Sequence, residues 1–222
     1  MLVARDLHKA FGPTQALQGA SVDVGAGEVL SIMGPSGSGK STLLHCLAGI
    51  VRPDSGTIMY GGRDMATMSD RTRSELRRTE FGFVFQFGQL VPELTCLDNV
   101  ALPLRLNKVK RAKAEETARQ WLARLEVSDV ARKRPGDVSG GQGQRVAIAR
   151  ALITQPRVVF ADEPTGALDS YNGEKVMQML TEAARQTNAA VVLVTHEPRV
   201  AAYADREVIV RDGKAISREL VS

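Results

Sequence analysis

The run GPSGSGKS, Gly34 to Ser41, constrains this chain more than any other stretch. It follows VLSIM (29–33), a short apolar run, and opens into STLLHCLAGI, which has helical spacing. Strand, glycine loop and helix in that order predict a parallel α/β arrangement. The pattern G-x-x-x-x-G-K-[S/T] is complete. Its glycines let the backbone curl until several N–H groups point at one phosphate chain, and the helix N-terminus adds its positive end. Gly34, Ser36, Gly37, Ser38 and Gly39 form that cradle. Lys40 is expected to reach the β and γ phosphates, and the Ser41 hydroxyl to bind Mg²⁺.

Three further apolar runs read as buried parallel strands: FGFVF (81–85), VVFA (158–161) and VVLV (191–194). Each gives way to polar residues: the first to Gln86, the second to Asp162 and Glu163, the third to His196 beyond Thr195. In a parallel sheet these positions all lie at the carboxyl edge, where ligands bind. Asp162 is positioned to hold Mg²⁺, Glu163 to orient and deprotonate an attacking water, and His196 to contact the γ-phosphate.

The remaining pattern fills in the architecture. LVARDL, QALQGASVDV and a hairpin at TIMYGGRDM (57–65) predict an antiparallel β layer, and EVIVRDGKAI a second hairpin around Asp-Gly. Helices are expected at RTRSELRRTE (71–80), at RAKAEETARQWLARLEV (111–127) with Trp121 on the apolar stripe, from Ser139 to about Thr154, and at VMQMLTEAARQ (176–186). Apolar residues make up 43% of the 222, enough for a substantial core. The net charge of +4 comes from scattered cations, so nucleic acid is not indicated. Cys46 and Cys96 lack metal-ligand spacing and read as reduced thiols. Arg5, Asp6, His8 and Lys9 interrupt any leader-like run, and AAVVLV (189–194) is too short to cross a membrane.

A second glycine feature remains. VSGGQGQR (138–145) places two glycines where a helix begins. Ser139-x-x-Gln142 is a good capping box, which does not account for glycine at both positions between. The order GPSGSGKST, Gln86, VSGGQ, VVFADE, ALD and His196 resembles the ATP-binding subunit of ABC transporters over nearly the whole chain.

That resemblance implies a P-loop NTPase of ABC type. Its mainly parallel core sheet and antiparallel β layer would occupy 1–85 and 157–222, with an inserted helical lobe at about 86–156. ATP and Mg²⁺ are the implied cofactors. Ser139, Gly140, Gly141 and Gln142 would clamp the γ-phosphate of ATP held by a second copy, in a head-to-tail dimer. Phe11 would stack on adenine, in place of the usual tyrosine. Thr42 would touch the α-phosphate, Gln86 would approach Mg²⁺ and the attacking water, and Asp169 of ALD would lie at the dimer interface. Val138 and Gly143 depart from the family's usual leucine and glutamine.

The resemblance also implies a peripheral protein on the cytoplasmic side of a membrane, held there by a separate permease. Phe87, Leu90, Val91 and Leu94 could line a groove for a short helix of that partner. The chain is similar to subunits serving macrolide export, lipoprotein release, antimicrobial-peptide resistance, haem efflux and cell-division signalling. Efflux of haem, a peptide or a drug is the first expectation. Lipoprotein release, or mechanical signalling to a cell-wall enzyme, is the alternative.

Overall fold

The computed structural model describes residues 2–218. The chain forms two compact units, residues 1–77 with 190–222 and residues 78–189.

The first unit opens with β1 (Leu2–Phe11) and β2 (Thr14–Val24), then β3 (Val29–Met33), α1 (Lys40–Leu47), β4 (Ser55–Tyr60) and β5 (Arg63–Asp64). An antiparallel layer runs in the order β2-β1-β4-β5. Gly61 and Gly62, both at positive φ, make the tight β4–β5 turn that their sequence predicts. β1 extends to Phe11, well past the LVARDL run, because a register shift around Asp6, at φ 51°, lets pairing with β2 resume.

The unit closes with β8 (Ala190–Val194), α7 (Pro198–Ala201), β9 (Arg206–Arg211) and β10 (Lys214–Arg218). β3 lies between β8 and β9, parallel to both, and β10 pairs antiparallel with β9 across the Asp212-Gly213 turn. Every residue of β8 is buried, as expected for a strand covered on both faces. The helix α2 (Asp70–Thr79) carries the chain out of the first unit.

The second unit contains β6 (Phe81–Phe85), α3 (Cys96–Leu106), α4 (Arg111–Arg124), α5 (Gly140–Leu152), β7 (Val158–Asp162) and α6 (Ser170–Gln186). β6 and β7 pair in parallel, with Phe81 edge-on to Phe160 at 5.2 Å. α4 buries Ala114, Ala118, Trp121 and Leu122, so Trp121 is a core residue, with the Arg124 guanidinium 4.8 Å above its ring. α6 buries Val176, Met177, Leu180, Ala183 and Ala184, the i, i+1, i+4, i+7, i+8 stripe of an amphipathic helix. Complete burial of Leu180 alone contributes roughly 1.5–3 kcal/mol.

α3 is an addition to the elements expected from sequence. Thr95 caps it, accepting from the Asp98 N–H at 3.1 Å, and the helix runs through Pro103. Among the described residues no helix is long and apolar enough to cross a membrane. Cys46 and Cys96 are free and buried.

Candidate functional site

In the first unit, the glycine loop joins the end of β3 to the start of α1. Gly39 is the residue before the helix, at φ 104°, and a β-carbon there would stand 2.3 Å from the Ala16 carbonyl oxygen. Only glycine combines that φ with that approach. No side chain caps α1, and its first turn carries no acid. The helix start is therefore a positive end without a built-in anion. Ser38 is buried, and its hydroxyl has no hydrogen-bond partner among the described residues. Lys40, 8% exposed, donates two bonds from Nζ, to the Gly34 carbonyl at 2.8 Å and the Pro35 carbonyl at 2.9 Å. A phosphate chain fits this arrangement: an unpaired buried hydroxyl, an uncapped helix start and a cation folded over the loop.

Ser41 and Thr42 continue into the first turn of α1. The β3–β8 register pairs Ile32 with Val194, so the phosphate loop and His196 emerge at the same edge. His196 and the loop residues Gly34 and Pro35 line one open cavity of about 480 Å³, with Met33, Glu207 and Arg211. Phe11 ends β1, 51% exposed as a residue, with Lys9 Nζ over its ring 5.4 Å from the centroid. An exposed π face is available there for stacking.

In the second unit, the β6–β7 register pairs Phe85 with Asp162. Gln86 therefore emerges beside Asp162 and Glu163, the first of which ends β7. The Gln86 carboxamide lies against Gly166: a β-carbon on Gly166 would be 2.8 Å from Nε2. A carboxamide at Gln86 and a carboxylate at Asp162, side by side at the ends of β6 and β7, are oxygen donors of the kind a hard cation such as Mg²⁺ prefers.

The second glycine-lined helix start opens α5. Its capping box is formed: Ser139 Oγ accepts from the Gln142 N–H at 3.3 Å, and Gln142 Oε1 accepts from the Ser139 N–H at 3.1 Å. The two glycines have different surroundings. Gly140 is exposed. Gly141 is buried against α6, where a β-carbon would stand 3.2 Å from Asn172 Oδ1. Asn172 is itself fixed by Asp169, which caps α6, accepting from the Asn172 N–H at 3.0 Å and from its side-chain amide at 2.6 Å. Those two bonds hold the Asp169 carboxyl below the usual carboxylate range. Gly141 thus has an explanation within the chain; Gly140 is exposed, although a β-carbon there would stand 3.3 Å from Leu168 Cδ2. Neither Asn172 nor its contact with Gly141 carries a sequence signal, because the two residues meet only in space.

Phe87 is 75% exposed, whereas Leu90, Val91 and Leu94 are half-buried. Phe87 and Leu90 line a groove with Val138, Pro164 and Leu168. Asn99, fully buried, donates to the Val91, Leu94 and Thr95 carbonyls and accepts from the Val91 N–H, tying this segment to α3.

Comparison with known proteins matches these features. Residues 17–166 match the ABC transporter family. The lipoprotein-releasing system ATP-binding protein LolD of Hyphomonas neptunium is 43% identical over 214 residues, covering 96% of this chain and 94% of that protein. A dimeric post-hydrolysis structure of the ATP-binding cassette MJ0796, bound to ADP and Pi, superposes with a TM-score of 0.92 at 36% identity, covering all of both chains. A second dimeric structure of MJ0796, a bacterial ABC transporter cassette, gives the same values. With a complete phosphate loop, the SGGQ helix start and this agreement over its whole length, the chain belongs to the ABC transporter family as an ATPase domain.

Proposed function

We propose that this chain binds and hydrolyses ATP to drive a separate membrane permease, working as a head-to-tail pair of copies. The observation that supports the proposal is that one chain has one uncapped glycine-loop helix start, at Gly34–Thr42, and a separate glycine-lined helix start at Ser139–Gln142, where Ser139 and Gly140 are exposed; we read the first as a phosphate cradle and the second as a clamp. Two copies then offer two of each, and each ATP is held by the cradle of one and the clamp of the other. The dimeric state of both MJ0796 structures, one of them with ADP and Pi bound, supports this.

In this reading Phe11 stacks on adenine, Lys40 and the loop N–H groups hold the β and γ phosphates, and Thr42 meets the α-phosphate. Ser41, Gln86 and Asp162 would hold Mg²⁺, which supplies charge neutralisation at the phosphates. Glu163 takes a proton from the attacking water, with Gln86 orienting it. His196 contacts the γ-phosphate, and Asp169 contributes to the interface between copies. The functional division is a nucleotide core of 1–85 with 157–222, and a permease-gripping lobe at about 86–156. The permease holds the pair at the cytoplasmic face of its membrane.

For the transported molecule, the 43% identity to a lipoprotein-releasing subunit favours lipoprotein release over small-molecule efflux. The test of the enzyme is Glu163→Gln. It should bind ATP as before, lose turnover and accumulate as a dimer with ATP. Unchanged turnover would remove Glu163 as the base.

A further inference from the structure

We propose that Arg150 and Gln144 latch the Gln86 loop onto α5, so that the helix bearing the phosphate clamp at its start also sets the position of Gln86. The inference rests on the proposed role of Gln86 at the metal and the attacking water.

The loop after β6 is unusual in its backbone. Phe87, Gly88 and Gln89 lie in succession at φ 38°, 65° and 44°. Left-handed conformations are costly for residues with side chains, and two of these three have one. Such a stretch persists when its surroundings hold it, and α5 does so with three bonds. Gln144 Nε2 donates to the Phe85 carbonyl at 3.1 Å. Arg150 Nη2 donates to the Gly88 carbonyl at 2.6 Å, and Nη1 to the Gln89 carbonyl at 2.8 Å. Gly88 also sits close against the helix, where a β-carbon would be 3.4 Å from both Ala147 Cβ and Gln144 Oε1.

Gln144, Ala147 and Arg150 succeed one another at i, i+3 and i+6, so a single face of α5 makes all these contacts. Arg150 directs its guanidinium at main-chain carbonyls, and burial pulls its pKa below the usual arginine value. A charged side chain used this way fixes a backbone more firmly than a neutral one would. Gly140 and Arg150 lie about 15 Å apart along one helix at 1.5 Å per residue. A shift of α5 when its start meets a phosphate is therefore transmitted to the loop. Conversely, a push on exposed Phe87 reaches the clamp.

The test uses the full chain with ATP and Mg²⁺. Hydrogen exchange is followed for the segment 86–91 and for 176–186 as a control, alongside kcat and KM for ATP. Arg150→Gln and Gln144→Leu should speed exchange in 86–91 by about tenfold or more without changing 176–186, as expected for local rather than global opening. Both should lower kcat severalfold while KM stays near its starting value. Arg150→Lys, which keeps the charge and one bond, should restore part of each loss.

Wild-type exchange in 86–91 of Arg150→Gln, or a loosened loop with unchanged kcat, would overturn the latch. If Arg150→Gln unfolds, seen as faster exchange in 176–186 too, Gln144→Leu and Arg150→Lys decide by the same criteria. If the wild-type chain hydrolyses no ATP, the proposed function fails, and the exchange result alone decides the latch.

Discussion

The Gln86 carboxamide occupies the space that a side chain at Gly166 would need, with Nε2 2.8 Å from the position of a Gly166 β-carbon. The clash involves the far end of a flexible side chain, so it is relieved by moving Gln86 rather than the backbone. Gly166→Ala should therefore fold normally, with stability within about 0.5 kcal/mol of wild type, as for an exposed substitution. Its kcat should fall severalfold because Gln86 is displaced. Paired melting curves and steady-state ATPase rates check this.

Gly143 differs from its neighbours in the clamp. A β-carbon there would meet only Val138 Cγ2, at 3.8 Å, in ordinary contact, and the residue lies inside α5. Gly143→Ala should raise stability by roughly 0.5–1 kcal/mol through helix propensity. Gly141→Ala, set against Asn172, should not share that gain. Urea titration of both variants measures the difference.

Lys40 lies over the phosphate loop with two bonds to its carbonyls. Removing it takes away the cation meant for the phosphates. A ligand present at about a hundred times its Kd stabilises a protein by about 2.7 kcal/mol, so ATP should raise the melting temperature of the wild type clearly. With Lys40→Ala the same ATP concentration should produce little or no shift.

The two thiols should be silent in the folded protein. Burial pushes the Cys46 pKa up from 9.0 to about 12. Cys96 is raised too, chiefly by burial. At pH 8 a thiol reagent should label neither quickly, and should label both in denaturant. The raised pKa also sets the direction of a stability change. Between pH 9 and about 12 an unfolded Cys46 has lost its proton while the folded one keeps it, so this group destabilises the fold as pH rises through that window. Cys46→Ala should show a shallower loss of stability there than wild type.

How far these features could be read from sequence depended on whether their cause was local. The phosphate loop, the Asp212-Gly213 and Gly61-Gly62 turns and the Ser139–Gln142 capping box each depend on residues within a few positions, and each appears as expected. α3 was harder to see. Pro103 and buried polar Asn99 interrupt its pattern, although the Thr95–Asp98 cap was readable. The extension of β1 past Asp6 depends on a register shift against β2. Asn172 over Gly141, and Arg150 on Gly88 and Gln89, join residues far apart in the chain. No spacing rule along a single sequence encodes such contacts.

The central claim, that each ATP is held by two copies, is tested most directly by mixing two inactive variants. Lys40→Ala disables the cradle, and Gly140→Asp puts a negative charge on the exposed clamp. Each alone should hydrolyse almost no ATP. In a mixed head-to-tail pair, one site combines both defects and the other has neither, so mixing should restore hydrolysis that neither variant shows alone. Activity that stays at the level of the separate variants after mixing, with mixed dimers demonstrably formed, would contradict the account.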